Sequence, residues 1–295
     1  MSKYQSIFRS DAFVDKTILV TGGGSGIGRC VAHELMSLGA KLVLVGRSID
    51  KLEAVSAELQ EDYGNSAACY SLDIRDEAAV VAGIKTILAE QGVIHALVNN
   101  AGGQFPSPME HISGNGFDAV INTNLKGGFL VSREVYTQCM AEQGGAMVNI
   151  TADNFKGMPG MAHSGAARAG MENLTKTAAI EWAKSGVRVN AVAPGYIASS
   201  GMDTYDKELI KPIIGHAQQS TPLRRLGLEA EVSSAIVYLL SDAASFITGL
   251  TMRVDGGSAQ TALMWELEGK NNVAPFDAFH RAVVPEIIQE LDREA

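Results

Sequence analysis

Three polar side chains in the stretch AHSGAARAGMENLTKTAAIEW (162–182) have the spacing of a reaction site on a helix. Ser164 and Arg168 are four residues apart, so a helix places them on one face, and His163 directly precedes Ser164. A guanidinium donates hydrogen bonds and keeps a site positive, but it does not give up a proton. A serine hydroxyl is a weak acid that needs a partner base. The pattern therefore predicts a polar site without a strong proton donor of its own.

A second candidate site lies earlier in the chain, in TILVTGGGSGIGRCVAHEL (17–35). This stretch predicts a strand, a turn and a helix, with glycines at Gly22, Gly26 and Gly28. Glycines permit a tight turn and close backbone approach, and the free N–H groups at the start of a helix attract a pyrophosphate. The stretch therefore predicts a dinucleotide site, although its glycine spacing differs from G-x-G-x-x-G.

Short apolar runs alternate with amphipathic stretches of helical length along almost the whole chain. Helices are predicted at 28–40 and 231–244, among others. The order predicts an α/β fold, a single Rossmann-like doubly wound parallel sheet of about seven strands with helices on both faces. Because no linker or repeat interrupts it, we expect one domain over 1–295. The predicted strands are 17–22, 41–46, 68–73, 95–100, 146–151, 187–194 and 251–257.

Two segments depart from this alternation. Residues 196–227 follow the carboxyl end of a strand, where open α/β sheets bind ligands, so we expect a substrate lid there. Arg224 and Arg225, near its end, are candidates to contact the phosphates of coenzyme A, with a solvated surface as the alternative. Residues 258–295 form a tail in which 283–295 favours one short amphipathic helix. A docked surface segment or a subunit contact is as good an interpretation of this tail as a functional role.

Composition excludes several function classes. The net charge of −9 argues against a nucleic-acid partner, because phosphate binding requires a basic face. Cys30, Cys69 and Cys139 are widely spaced, which predicts neither a disulfide framework nor a metal site. No apolar run has the length of a membrane span, and no secretory signal is recognisable. We therefore expect a cytoplasmic protein.

Five motifs, in order and spacing, make the sequence similar to the short-chain dehydrogenase/reductase family over residues 14–258. They are TGGGSGIG (21–28), Asp73, NNAG (99–102), Asn124 within INTNLKG, and APG (193–195). The resemblance implies a nicotinamide-dependent oxidoreductase of a small-molecule substrate that assembles as a homotetramer. The cofactor-binding residues that it implies are Gly22, Gly24, Ser25, Gly26, Ile27, Gly28, Asp73, Ile74, Asn100, Ala101, Gly102, Arg168, Pro194, Gly195 and Ile197.

The end of the second strand bears on the choice between NAD and NADP. An acidic residue there hydrogen-bonds the ribose 2′-hydroxyl of NAD, whereas an arginine accepts the 2′-phosphate of NADP. The strand ends in LVGRSIDK, so Gly46 takes the acidic place and Arg47 follows it. This pattern favours NADP(H). NAD(H) stays possible, because Asp50 lies nearby and an exposed arginine at a strand end is common.

The resemblance also shows that the catalytic residues are altered. Family members carry a tyrosine four residues before a lysine, and a serine upstream. The matching positions hold Ser164, Arg168 and Thr151, and no tyrosine lies between residues 137 and 195. Ketone reduction makes an alkoxide that needs a proton at once, which this set supplies poorly. Reduction of an enoyl thioester spreads the charge into an enolate that hydrogen-bond donors can hold.

HSGAARAG and ITGLTMRVDGG are similar to the trans-2-enoyl-CoA reductase branch and to bacterial dehydrogenases of citronellol-type terpenoid catabolism. This resemblance implies an NADP(H)-dependent reductase of a 2-enoyl-CoA or a related acyl thioester. A citronellol or terpenoid alcohol/aldehyde dehydrogenase is the first alternative. A cofactor-binding subunit without catalysis is the second.

Four residues are candidates for moving protons, and each has a structural alternative. The family relays protons through an asparagine matching Asn124, although an asparagine can also satisfy backbone groups where a helix bends. His163 titrates near neutrality, or caps and packs the helix start. Asp153 stands where the dienoyl-CoA reductase branch has a tyrosine, or caps a helix. Tyr196 follows the APG turn and reaches over the nicotinamide, or packs on it.

Overall fold

Seven parallel strands form the central sheet of the computed structural model, which describes residues 3–204, 207–261 and 273–294. They are β1 (Thr17–Thr21), β2 (Lys41–Gly46), β3 (Ala68–Ser71), β4 (Ala96–Asn99), β5 (Gly145–Ile150), β6 (Val187–Pro194) and β9 (Thr251–Val254). Their spatial order is β3-β2-β1-β4-β5-β6-β9. The chain adds β2 and β3 on one side of β1 and then β4 on the other, so the strand order reverses between β1 and β4. The carboxyl ends of these two strands flank the crevice where such sheets bind ligands. The predicted fold class is confirmed. Among the strands the largest boundary difference is at β9, which ends at Val254 instead of residue 257, and the helix predicted at 231–244 spans Glu229–Leu240.

Helices cover both faces of the sheet and bury two apolar cores. Consecutive residues of β1 divide between these cores, since Ile18 and Val20 belong to one and Leu19 to the other. Each buried aliphatic side chain of this kind stabilises the fold by about 2 kcal/mol. None of the described helices is both long and apolar enough to cross a membrane. One core packs against α1 (Gly26–Ser37), α2 (Ile49–Tyr63) and α9 (Glu229–Leu240), the other against α3 (Glu77–Gln91), α5 (Gly128–Val135) and α7 (Ala162–Glu181).

The long helical stretch after β4 contains a wide turn. It begins as α4 (Gly114–Ile121), passes through π-helical residues Asn122–Gly127 and continues as α5. A second π-helical turn (Tyr136–Met140) leads to α6 (Ala141–Gln143). π-helical turns occur often at functional sites, and the first one contains the buried side chain of Asn124.

The predicted lid, 196–227, contains structure of its own. Two short strands, β7 (Ile197–Ala198) and β8 (Gly227–Leu228), pair in parallel at its base. Between them lies α8 (Lys207–Ser220), which buries Ile214 and Ala217 in a small separate core. Residues 205 and 206 of the lid lie outside the described residues.

The tail connects the sheet domain to the lid. After β9 it forms a short turn (Ser258–Gln260), and residues 262–272 lie outside the described part. The tail then packs Ala278 and Phe279 near α1, and ends in α10 (Glu286–Glu294), the predicted amphipathic helix. Helix α10 inserts Ile287 into the core of the lid. The tail is therefore docked against α1 and the lid.

A group of partly or fully buried ionisable side chains, here called the tail anchor, fixes the tail to α1 and α2. It consists of Arg29, His33, Glu58, Asp62, His280 and Arg281. Arg281 donates two hydrogen bonds of 2.7 Å to Asp62, and His280 Nε2 lies 2.7 Å from the same carboxylate. These hydrogen bonds, led by those of Arg281, lower the pKa of Asp62 to about 2. Asp62 is therefore ionised at neutral pH and held by Arg281 and His280 from the tail.

The other half of the tail anchor lies between α1 and α2. Arg29 donates to both oxygens of Glu58, at 2.8 and 3.0 Å, and His33 Nε2 lies 3.1 Å from Glu58. Burial opposes ionisation of Glu58, but the hydrogen bonds from His33 and Arg29 outweigh it and lower its pKa to about 2. Arg29 also donates to the backbone oxygen of Arg281 at 3.1 Å, which joins both halves.

Residues 4–6 pack beside the tail. The Gln5 N–H donates to the oxygen of Ala278 at 3.1 Å, and the rings of Tyr4 and Phe279 lie 5.9 Å apart. Tyr4 also donates to Glu34, a carboxyl on α1 that is completely buried. Burial raises the pKa of Glu34. The early residues and the tail thus share one contact surface on α1.

Candidate active site

The glycine-rich turn after β1 is packed too closely for larger residues. Gly22 and Gly26 adopt positive φ values of 67° and 56°. A Cβ on Gly28 would lie 2.4 Å from the Gly22 oxygen and 2.5 Å from Asn100 Nδ2. Ser25 directly precedes α1, but its side chain makes no capping hydrogen bond. The Ser25 hydroxyl therefore satisfies none of the first N–H groups of the helix. This cradle of backbone, which also contains Gly24 and Ile27, fits a dinucleotide pyrophosphate.

Thr21 connects this turn to the end of β4. Its hydroxyl accepts the N–H groups of Asn100 and Ala101, both at 3.0 Å. The Asn100 side chain donates to the oxygens of Thr21 and Gly22, both at 3.1 Å. Asn100 and Ala101 therefore position the turn from its side, and Thr21 is a residue that sequence reasoning missed.

The expected adenosine end of the crevice carries several cations. Arg75 forks onto Asp73, with Nη2 2.6 Å from Oδ2, and this pairing, assisted by Arg47, lowers the pKa of Asp73 to about 2. A Cβ on Gly24 would lie 3.0 Å from Lys51 Cβ, so Lys51 borders the glycine-rich turn. Ile74 is buried and contacts Gly127 of the π-helical turn. Beyond the predicted Arg47, the structure thus places Lys51 and Arg75 in this region.

The predicted pair on α7 has the expected common face. Ser164 is fully buried, and its hydroxyl donates to Gln104 Oε1 at 2.6 Å. Arg168 Nη1 donates to the Ile150 oxygen at the end of β5, at 2.6 Å. Gln104 is sixty residues from Ser164 in sequence, and no motif pointed to it.

Asn124, on the π-helical turn, also holds the segment after β4, at a different residue from Ser164. Its Oδ1 accepts the Gly103 N–H at 2.9 Å, and its Nδ2 donates to the Gly103 oxygen at 2.8 Å. A Cβ on Gly102 would lie 2.8 Å from both Arg168 Nη2 and Asn124 Oδ1. Asn124, Arg168 and Ser164 thus meet around Gly102–Phe105, and together with His163 we call this assembly the cleft cluster.

His163 is fully buried beneath the next residue of that segment. Its ring packs edge-on against Phe105, with 4.4 Å between centroids. Its Nδ1 accepts the N–H of Ser164 at 2.9 Å, so Nε2 carries the proton of the neutral ring. Nε2 is buried and has no partner among the described residues. In the structure this histidine packs on Phe105 and accepts a helix N–H, and its role in proton transfer stays a prediction.

Thr151 and Asp153 follow β5 in different roles. Thr151 is buried and donates to the Val192 oxygen at 3.3 Å. The Asp153 carboxylate accepts the Ser258 hydroxyl at 2.5 Å, which joins it to the start of the tail. Burial, with a contribution from Asp153, raises the pKa of Tyr196. Asp153 and Tyr196 therefore lie close enough to interact, at the carboxyl edge of the sheet.

The APG turn lies beside the last strand. The Gly195 N–H donates to the Val254 oxygen at 3.0 Å, and a Cβ on Gly195 would lie 2.8 Å from Asp255 Cα. Pro194 ends β6, and Ile197 begins β7 with its side chain buried. This close packing explains the glycine and places Pro194, Gly195 and Ile197 at the carboxyl edge of the sheet.

The solvated-surface alternative is wrong for Arg225. Its guanidinium donates to both oxygens of Glu231, at 2.8 and 2.6 Å, which fixes the lid's end to α9. The coenzyme A contact stays a prediction. Arg224 adopts a positive φ of 54° and donates to the Gln219 oxygen at 3.2 Å.

A buried carboxyl lies under the glycine-rich turn. Glu229, at the start of α9, has an oxygen 3.8 Å from where a Cβ on Gly26 would stand. Burial raises the pKa of Glu229 to about 7, although Arg29 opposes the shift. Sequence reasoning did not identify Glu229, because its proximity to the turn arises only in the folded chain.

Comparison with known proteins agrees with this geometry. A family model described as enoyl-(acyl carrier protein) reductase matches residues 22–259. The chain belongs to the short-chain dehydrogenase/reductase family. It is an oxidoreductase of that family, with a small molecule as substrate and a nicotinamide cofactor.

The relatives of this short-chain dehydrogenase/reductase include 2,4-dienoyl-CoA reductases and a citronellol catabolism dehydrogenase. The rat peroxisomal 2,4-dienoyl-CoA reductase is 35% identical over 268 residues, covering 88% of this chain and 89% of the relative. A probable 2,4-dienoyl-CoA reductase of Bacillus subtilis is 37% identical, covering 82% and 96%. The solved structure of the citronellol catabolism dehydrogenase AtuB of Pseudomonas aeruginosa PAO1 is 55% identical, with a TM-score of 0.79, and covers 87% of this chain and all (100%) of that one.

Proposed function

We propose that this chain is an NADP(H)-dependent reductase of unsaturated acyl thioesters, with a 2-enoyl-CoA or a related acyl thioester as substrate. The observation that carries the proposal is the state of Ser164, whose buried hydroxyl donates to Gln104. Arg168, four residues on, supplies a permanent positive charge and no transferable proton. Such a site holds negative charge well and delivers protons poorly.

Reduction of an enoyl thioester suits a site of this kind. Bound NADPH supplies the hydride. When the β-carbon of the substrate is reduced, negative charge moves to the thioester oxygen, where preorganised hydrogen-bond donors stabilise it. The completing proton goes to the α-carbon, so no strong acid is needed beside the oxygen. Ketone reduction instead requires a proton on oxygen, which the family's tyrosine normally gives.

Tyr196 does not replace the missing phenol in this proposal. A family tyrosine is made more acidic by its lysine, whereas burial and Asp153 raise the pKa of Tyr196. Asp153 and His163 stay the candidate donors to the α-carbon. We expect Asp153→Asn to slow turnover more than His163→Ala, because the Nε2 atom of His163 is buried.

The choice of NADP(H) rests on the end of β2. Gly46 leaves the place of the ribose-binding acid empty, and the exposed Arg47 follows it. Lys51 and Arg75 add positive charge in the same region. We expect Arg47→Ala to weaken NADPH binding about tenfold, and NADH binding much less, in calorimetric titration.

The test is a panel of substrates, and the reaction with each one is measured as the loss of absorbance of the reduced nicotinamide. The panel contains straight and branched 2-enoyl-CoAs, a 2,4-dienoyl-CoA, simple ketones and terpenals, each with NADPH and NADH. We expect the unsaturated thioesters to be reduced with NADPH. Inert thioesters together with rapid conversion of terpenals would overturn the proposal. Tight NADPH binding without turnover of any compound would favour the non-catalytic subunit.

Oxidation of citronellol or a related terpenoid alcohol is the second candidate. It is favoured by the 55% identity to the citronellol catabolism dehydrogenase AtuB. A branched acyl thioester as the substrate would be compatible both with a role like that of this relative and with the altered catalytic residues of this chain. Turnover of citronellol with NAD(P)+ that exceeds thioester reduction would decide for the alcohol.

We also propose a cytoplasmic homotetramer. Support for assembly comes from Phe129 on α5 and Ile180 on α7, which expose 40% and 79% of their surface. Phe246 and Leu250, beside β9, form a second exposed apolar pair. Light scattering coupled to size exclusion would measure the mass, and a monomer would contradict the proposal. Support for the location comes from three unpaired cysteines, which suit a reducing compartment.

A further inference from the structure

The short segment Gly102–Phe105 is fixed at four consecutive residues. Gly102 packs against Arg168 and Asn124, and Gly103 exchanges two hydrogen bonds with Asn124. Gln104 accepts the Ser164 hydroxyl, and Phe105 packs on His163. Such fixation is unusual for a stretch with neither helix nor strand, and it presents one functional side chain, that of Gln104.

The orientation of the Gln104 amide follows from Ser164. The serine hydroxyl is fully buried and has no other acceptor among the described residues, so it donates to Gln104 Oε1. The amide nitrogen then points away from Ser164 with two N–H groups. Nε2 makes no hydrogen bond within the described part of the chain and is not enclosed, so both donors are available to a ligand.

We infer that Gln104 binds the thioester oxygen of the substrate and that Ser164 acts as its positioning residue. This inference deepens the function proposed above and rests on it. An amide N–H stabilises a developing oxyanion but does not transfer its proton. It is therefore suited to an enolate and unsuited to making or breaking an alcohol O–H bond. The phenol of the family is replaced in this chain by an amide that a buried hydroxyl holds in place.

The test compares Gln104→Met, Gln104→Glu and Ser164→Ala in the full chain, with the exposed Gln60→Met as control. We expect Gln104→Met to lower kcat for crotonyl-CoA at least about a hundredfold with little change in KM. Ser164→Ala should lower kcat about tenfold, and adding it to Gln104→Met should have no further effect. Gln104→Glu should regain activity as the pH falls and the new carboxyl takes up a proton. NADPH affinity and melting temperature, measured alongside, should stay near those of the parent chain.

Three results would overturn the inference. One is a Gln104→Met variant that keeps most of its thioester turnover, which leaves the proposed function intact. Another is a Ser164→Ala loss that equals or exceeds that of Gln104→Met, since the serine then acts on the substrate itself. The third is an absence of thioester reduction in the parent chain, which removes the proposed function as well.

Discussion

The cleft cluster and the tail anchor are both buried polar groups, yet they are built in opposite ways. In the tail anchor, carboxylates are paired with guanidinium groups, and Asp62 and Glu58 each accept from an arginine fork and a histidine. In the cleft cluster the hydrogen bonds are mostly between neutral groups, and donors on His163 and Gln104 stay unused. Charge pairing serves stability, whereas a donor left without a partner costs stability unless a ligand can use it.

The largest effect should come from the glycine-rich turn at the start of α1, which belongs to neither region. Gly28→Ala places a methyl group 2.4 Å from the Gly22 oxygen, so the turn must open. We expect NADPH affinity to fall at least about a hundredfold in calorimetric titration. Gly114→Ala is the matched control, because nothing lies within 4 Å of its added Cβ. Unchanged affinity in Gly28→Ala would show that the turn is not the cofactor cradle.

The second-largest effect is expected from substitutions in the tail anchor. These should lower the stability of the fold and leave turnover unchanged. Asp62→Asn leaves Arg281 and His280 without their carboxylate, and the lowered pKa of Asp62 corresponds to a loss of about 2 kcal/mol of stability. Because the pKa of Asp62 is lowered to about 2, this stabilisation is complete above the ordinary aspartate range and is lost as the pH falls toward 2. Urea unfolding at several pH values measures it. The exposed pair of Arg9 and Asp11 gives the control Asp11→Asn, for which we expect no measurable change.

Glu229 should affect the pH dependence of stability in the opposite direction to Asp62. Its pKa is raised from 4.5 to about 7, so between these values the folded chain keeps a proton that the unfolded chain has released. Stability therefore falls as the pH rises through this window. At about 1.4 kcal/mol per unit, Glu229→Gln should stabilise the fold at pH values near 8 by at most about 3 kcal/mol, and not in acid.

Glu231, two residues along, provides the contrast for that experiment. Burial opposes its ionisation, but hydrogen bonds from Arg225 and from the Leu228 N–H lower its pKa. Glu231→Gln should therefore destabilise the chain at neutral pH. If both variants move the melting temperature in the same direction, the environments assigned to these two carboxyls are wrong.

The smallest change is expected in the cleft cluster. Ser164→Ala removes one hydrogen bond to a glutamine that water can still reach, so we expect about 1 kcal/mol of lost stability or less. The measurement is the same urea titration used for Asp62. A loss as large as that of Asp62→Asn would erase the distinction between the two regions.

The strands of the sheet could be predicted from the sequence, because each is a short apolar run bounded by turn residues. Contacts between residues far apart in the chain could not be predicted. Gln104 and Ser164 are 60 residues apart, and Asp62 and Arg281 are 219 apart, so no local pattern could reveal either pair. In the lid, the spacing of Ile213, Ile214 and Ala217 was a helical signal that could have predicted α8. Asn124 was identified, but its two bonds to Gly103 depend on the π-helical turn.

The contact between Gln5 and Ala278 has a practical consequence for anyone trimming or tagging this chain. Deleting the first few residues removes Tyr4 from Glu34 and from Phe279, and so exposes one side of the same segment that carries α10 to the lid. A change at one end of the polypeptide would then weaken the docking of the tail on α1, and shortened variants should unfold more readily than the parent chain.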